Sequence, residues 1–278
     1  DSNIVIGNGI DAASATADNQ LNIGGWIQGV AGQIGIGATP RADLHASWTQ
    51  LFLGQKGSII SEKSSGGGLP GTKLTDNIYI DSDTGANACI EANQSSMITL
   101  EAGALNYLSA VSASAGAAPT LVTHLNIDAS GAVTKPLQPA FQAHKNGTDQ
   151  SNIAVGSEVT VTWSHEAFDQ NADFASNTFT APVTGKYQLN LMMRLEAIDS
   201  ASNYYVVRIT TSNQSYSHIV DPDYGQDNVY YPVQISVLAD MDSADTAYVS
   251  INQESSGTAQ TDIDGDREYT NFSGYLVA

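Results

Sequence analysis

The 278-residue chain carries 10 Lys+Arg against 29 Asp+Glu, a formal net charge of −19, and is 41% hydrophobic with only 14% charged residues. That balance argues against nucleic-acid binding, which needs clustered cations to meet phosphate, and the apolar content argues against a disordered chain. No apolar run approaches the ~20 residues of a membrane helix, so insertion into a membrane is not expected. Cys89 is the only cysteine, so an intrachain disulfide is impossible and the thiol reads as a small buried hydrophobe. The chain begins at Asp1 with neither Met nor a signal-like segment, and the expectation is a fragment or processed product, a soluble piece of something larger.

In chain order, residues 1–39 read as short strands punctuated by glycine: Asn3 to Gly7, Asn22 to Trp26 and Gln33 to Gly37 share a polar–apolar–Gly rhythm. Each is too short to bury a core alone, so this segment is expected to be ordered only in an oligomer or stack. Residues 40–134 read as a β-rich middle domain. Gln50–Gly54 and Asn77–Asp81 are strands, Ser82 to Gly85 is a turn, and Ser64 to Gly68 is a flexible loop. Met97 to Val111 is mixed, and strands are favoured there over a short helix at Leu100–Leu108. Thr123–Asp128 alternates again and Ala129-Ser130-Gly131 turns, after which residues 135–140, with two prolines, form the linker candidate.

Residues 141–278 carry the clearest period of two. Tyr187, Leu189, Leu191, Met193 and Leu195 alternate with polar or outward residues, and Tyr205/Val207/Ile209, Val233/Ile235/Val237 and Ala247/Val249/Ile251 repeat the pattern. Strict alternation buries one face and solvates the other, so this part is predicted to be an antiparallel sandwich of jelly-roll type. The whole chain is predicted to be all-β.

Three ordered segments resemble the C1q/TNF-like family: Pro139-Ala140-Phe141, then Asn177 to Tyr187 preceded by Ala167-Phe168-Asp169, and Asn271 to Val277 at the chain end. The resemblance implies a structural set of Phe141, Phe179, Tyr187 and Phe272 in the core, Pro182 and Gly185 shaping a turn, and Gly274 permitting close backbone approach. It also implies a homotrimer of C1q-like heads. Leu238 to Asp245 departs from the family, which has a shorter Gly-Asp turn there. Gln20 to Gly29, Ile34 to His45, Asn77–Asp81 and Leu125 to Gly131 are similar to segments of bacteriophage tail fibres. That resemblance implies a virion protein outside the cell, continuous with an upstream fibre or baseplate protein and directed at a host surface glycan or outer-membrane protein.

Catalytic patterns are absent: there is no Gly-x-Ser-x-Gly, no Walker loop and no His-Glu-x-x-His. Ser164, His165 and Glu166 are sequence neighbours whose side chains diverge on a strand, so they form no triad. The expectation is a non-enzyme. The five histidines show no metal-ligand spacing, and only a trimer axis could gather copies of one of them. Asp262, Asp264 and Asp266 alternate in a loop as hard-cation ligands do, although position twelve is Ser273 rather than the Glu of an EF-hand. Two readings stay open there, a divalent cation such as Ca2+ or a solvated acidic loop. Tyr216, Asp221, Asp223, Tyr224, Tyr230 and Tyr231 mix aromatic faces with carboxylates, which suits glycan recognition, while the same tyrosines also suit packing at a subunit interface. The reading is a receptor-binding distal tail-fibre part; the alternatives are a trimerisation cap without receptor binding and a bacterial surface or secreted adhesin.

Overall fold

A computed structural model of the chain describes residues 3–12, 20–30, 33–41, 45, 47–62, 71–254 and 259–278. The expected loop Ser64 to Gly68 lies outside the described residues. Twenty-five strands and no helix occur among the described residues, so the protein is all-β. The chain forms two compact units that meet between Pro136 and Leu137.

The first unit holds β1 (Ile4–Ile6), β2 (Leu21–Ile23), β3 (Ile27–Val30), β4 (Gln33–Ile36), β5 (Trp48–Leu53), β6 (Gly57–Glu62) and β7 (Gly71–Asp76). A short hairpin of β8 (Ile78–Ile80) and β9 (Asn87–Cys89) follows, then β10 (Asn93–Glu101), β11 (Ala104–Ala113), β12 (Val122–Ile127) and β13 (Val133–Thr134). All but β8 and β9 belong to one sheet of order β1-β2-β3-β4-β5-β6-β7-β10-β11-β12-β13. Pairing passes from β4 to β5, with Ile34 opposite Leu51, so strand pairing is unbroken across the expected 39/40 boundary. Over Met97 to Val111 the structure has the tip of a hairpin, not a helix. Ala102 and Gly103 make its two-residue turn with φ of 52° and 80°, the left-handed pair whose twist matches an antiparallel hairpin.

The β8–β9 hairpin covers one face of this sheet. Ile78, Tyr79, Ile80, Ala88 and Cys89 are buried with Phe52, Ile60 and Met97. The polar residues of that face are buried too and satisfy one another: Gln50 Nε2 donates to Ser58 Oγ at 2.7 Å, and Ser58 and Thr75 hydroxyls meet at 2.6 Å. Asn77, in the left-handed region at φ 58°, donates to the Gln94 carbonyl at 2.9 Å and accepts from the Glu91 amide at 2.9 Å, fastening the hairpin to the start of β10.

The second unit holds β14 (Ala140–His144), β15 (Glu158–Thr160), β16 (His165–Asp169), β17 (Phe174–Ala175), β18 (Thr178–Thr180), β19 (Gly185–Ile198), β20 (Tyr205–Thr211), β21 (Ser215–Val220), β22 (Asn228–Met241), β23 (Thr246–Gln253), β24 (Asp262–Ile263) and β25 (Asn271–Leu276). One sheet runs β16-β14-β25-β19-β22 with β24 on β19; the other runs β17-β18-β23-β20-β21 with β15 on β23. Apart from the β17–β18 and β20–β21 hairpins and the pair β24 and β25, which both lie on β19, successive strands alternate between the sheets, which is the jelly-roll pattern and gives the predicted sandwich. Residues 137–140, read as the end of a linker, belong to this unit. Gln138 Nε2 donates to the Leu276 carbonyl at 2.6 Å and the Leu276 amide to Pro139 O at 3.1 Å, so their backbone is already part of the sheet edge.

Alternating residues of β19, β20, β22 and β23 fill the space between the sheets. Phe141 sits among aromatics: its ring stacks on Phe179 at 4.7 Å and Phe174 at 5.0 Å and meets the edge of Phe272 at 5.1 Å. Tyr187 is fully buried and donates its hydroxyl to the Val183 carbonyl at 2.7 Å. Gly274 lies where a Cβ would come within 2.7 Å of Leu189 Cδ2 and 2.8 Å of Phe141 Cε1, and at Gly185 it would come within 2.6 Å of the Ala278 carbonyl. Pro182 is exposed: its place in the structural set comes from the turn into β19, not from burial, because a fixed φ shapes a turn without a buried ring. The first half of the departing segment Leu238 to Asp245 is the end of β22. Its turn is Asp242 to Asp245, closed by Asp245 Oδ2 accepting from the Asp242 amide at 2.8 Å.

Candidate functional site

The period-two geometry of β22 divides the predicted tyrosine surface. Tyr230 and Tyr231 are adjacent, so they point to opposite faces of the strand. Tyr231 packs against the core, and Tyr224 stacks on it with ring centroids 6.0 Å apart. The hydrogen bond that the Tyr224 hydroxyl donates to Tyr231, with burial and nearby Asp221 adding, holds the Tyr224 phenol up at about 12. Tyr216, on β21, also packs on the core. Asp221 and Asp223 are exposed and make a local turn, the Asp223 amide donating to Asp221 Oδ1 at 3.3 Å. The six residues therefore form no single surface: Tyr224, Tyr231 and Asp221 come together, and Tyr230 goes elsewhere.

Tyr230 goes to Arg194. The guanidinium carbon of Arg194 lies 4.5 Å from the Tyr230 ring centroid and 3.6 Å from that of Tyr269, so the cation is held between two aromatic faces. It also pairs with Asp264 and, at 3.4 Å, with Glu196. The Asp264 side chain is 3% exposed, so its charge is buried beside a fixed cation. β19 carries Arg194 and Glu196 on its outward positions, and the backbone of the 262–266 loop is tied to the same strand by the Asp264 amide donating to Arg194 O at 3.0 Å.

The three alternating aspartates do not converge. Asp262 accepts from the Asn152 amide at 2.6 Å, Asp264 turns inward to Arg194 while its Oδ1 accepts from the Asp266 amide at 2.6 Å, and Asp266 is exposed. The physical reason is that a strand pair intervenes. Asp262 lies on β24, which pairs with β19, whereas Asp264 and Asp266 follow beyond the strand end, so the three carboxylates do not share one loop geometry. Asp264 already has its counter-cation in Arg194. Among the described residues, no three His, Cys, Asp or Glu side chains are grouped to hold a metal. His144 and His165 meet with ring centroids 4.8 Å apart. Burial, with His165 and Arg267 adding, lowers the basicity of His144.

Beside Tyr230 lies an open recess of 340 Å³ lined by Glu196, Asp227, Asn228, Val229 and Asp262. Burial pushes the Glu196 carboxyl up, Asp264 and Asp149 add to it, and Arg194 opposes. Hydrogen bonds from the Ser200 hydroxyl and amide pull the Asp227 carboxyl down. The recess thus offers carboxylate acceptors of unequal basicity beside an exposed aromatic face, a combination that can hold a hydroxyl-rich or cationic ligand by hydrogen bonds and stacking. Sequence reasoning missed Arg194, Glu196 and Tyr269, while Asp227 stood in the acidic tyrosine segment it singled out. The available signal was Arg194 itself, a cation on the outward side of a strand in a unit with 5 basic and 18 acidic residues.

No family model matches the sequence, and no curated protein matches it. Among solved structures, the chain is similar to the globular domain of zebrafish complement 1qA protein, with 18% identity over 50% of this chain and 98% of that one at a TM-score of 0.36. It is also similar to murine APRIL in two crystal structures, with 12% and 11% identity, 50% of this chain and 99% of that one, and TM-scores of 0.37 and 0.36.

Proposed function

We propose that this chain is the distal part of a trimeric bacteriophage tail fibre, a virion protein that attaches to the host cell surface through its C-terminal sandwich. The reading needs no catalytic step. The observation that carries it is the exposed Tyr230 ring beside the acidic recess, stacked on Arg194, whose guanidinium also stacks on Tyr269. A preordered aromatic face next to hydrogen-bond acceptors binds sugars without a large ordering cost, which favours a surface glycan over an outer-membrane protein as ligand. Several heads engaging one cell then multiply a weak single-site affinity. The alternative of a trimerisation cap without receptor binding is favoured by Tyr216 and Tyr231, which pack on the core rather than facing outward. Cell-binding assays with the full chain separate the two. Under the attachment reading, Tyr230→Ala abolishes adsorption to host cells while the sedimentation mass is unchanged. Under the cap reading the variant adsorbs as the parent does, or neither adsorbs at all.

A further inference from the structure

The uncovered face of the eleven-stranded sheet has an unusual composition. The register sets Ile34 opposite Leu51, Leu51 opposite Ile59, Ile59 opposite Leu74, Leu74 opposite Ile98 and Ile98 opposite Tyr107. The row continues to Leu125 on one side and, through Gly29, to Leu21 and Ile4 on the other. A second row on the same face runs Ile6, Ile23, Ile27, Ile36 and Leu53, and a third joins Leu100, Leu105, Ile127 and Val133. These side chains are open to solvent: Ile34 is 44% exposed, Leu74 50% and Leu100 54%. The opposite face is the covered one, although it carries Gln50, Ser58, Thr75 and Thr99. Polarity is therefore inverted relative to a sheet that is complete as a single chain, where the apolar side is the buried one.

We propose that this face is the surface on which identical copies of the chain pack together. The proposal deepens the fibre reading above by naming the contact in the first unit. Three features select a second copy as the occupant. First, the face is almost free of charge. Among the described strand positions on it, Asp76 is the only charged residue, while Glu62, Lys73 and Glu101 fall on the other side. Two copies of a chain carrying −19 can meet without like-charge repulsion only over such a surface. Second, its size suits a stable interface. The central row crosses ten strands about 4.8 Å apart, roughly 43 Å, and the outer rows, about 7 Å to either side, cross five and four strands. That is a patch of roughly 600 Å², which approaches the ~800 Å² each partner gives to a standard interface. Third, rows of large and small apolar side chains in strict register repeat across the sheet, and a repeating surface can mesh with its own copy.

The test is thiol reactivity in the full chain. Leu74→Cys places one thiol in the middle of the central row; Cys89 is fully buried and stays silent unless the chain unfolds. A control thiol goes at exposed Asp83. The expected result is a multimer in sedimentation in which Cys at 74 reacts more than about tenfold slower than Cys at 83. Adding Ile98→Asp then restores fast reaction, and continued silence of Cys89 certifies that this variant is folded. A multimer whose thiol at 74 reacts freely overturns this proposal and leaves the fibre reading standing. A freely reacting monomer overturns both. A protected thiol in a dimer keeps the face as the contact and removes the trimer, whereas protection in a monomer means the cover comes from within one chain and overturns the proposal.

Discussion

Arg194→Met isolates the physical centre of the candidate site. Methionine keeps the length and apolar bulk of the side chain but removes the cation that faces Asp264, Glu196, Tyr230 and Tyr269. Asp264, 3% exposed, is then left as a buried carboxylate without its partner. Removing one member of a buried pair costs about 3–5 kcal/mol. Arg194 is itself 21% exposed, so solvent screens part of this and about 2–4 kcal/mol is expected. Replacing both partners, Arg194→Met with Asp264→Asn, removes the uncompensated charge and is expected to fall within about 1–2 kcal/mol of the parent. The assay is a double-mutant cycle from urea unfolding of the full chain at constant protein concentration. A coupling energy near zero, with the two single variants simply additive, would refute the view that Asp264 is held by Arg194.

Gly274→Ala forces a methyl to within 2.7 Å of Leu189 and 2.8 Å of Phe141 and should cost about 1–3 kcal/mol in the same unfolding assay. Phe141→Ala empties the centre of the aromatic cluster and should cost about 3–5 kcal/mol, enough to lower the unfolding midpoint visibly. Ala102→Gly relieves a left-handed alanine in the β10–β11 turn and is expected to stabilise by about 1 kcal/mol or less after the added chain entropy. Tyr224, held at about 12, favours its neutral form in the folded state. Its contribution is therefore present below the ordinary phenol value and is lost as pH rises from there towards 12. Tyr231→Phe removes the largest cause and should move the late phenolate transition down towards the ordinary range in an absorbance titration.

Local chemistry made much of the architecture legible. Strict alternation in β19 and β22 of one sheet, and in β20 and β23 of the other, leaves each sheet one apolar face, and two such faces have nowhere to go but against each other, so the sandwich follows from the sequence. Tyr187 was readable as core from that period, while Phe141, Phe179, Phe272 and the close approach at Gly274 came with the resemblance to the C1q/TNF-like family; all four large side chains are buried. The opposite orientation of Tyr230 and Tyr231 was also legible, since adjacent strand residues diverge, yet their shared composition suggested one surface. Asp262, Asp264 and Asp266 misled for a related reason. Alternating carboxylates read as a ligand loop only while all three belong to one loop; pairing with β19 takes Asp262 into strand, and Arg194 takes Asp264.

What the sequence determined alone was local: an all-β chain, the positions of its turns, the impossibility of an internal disulfide and the acidic charge that limits its partners. The tertiary structure decided everything that depends on register. Leu51, Leu74 and Ile98 are unremarkable residues of separate strands until pairing aligns them into one row. Arg194 meets Asp264 across 70 residues of chain because β24 lies against β19. Side-chain period reports which face a residue takes, but only long-range hydrogen bonding reports which residue stands beside it, and both the apolar ladder and the Arg194 cage are made of such neighbours.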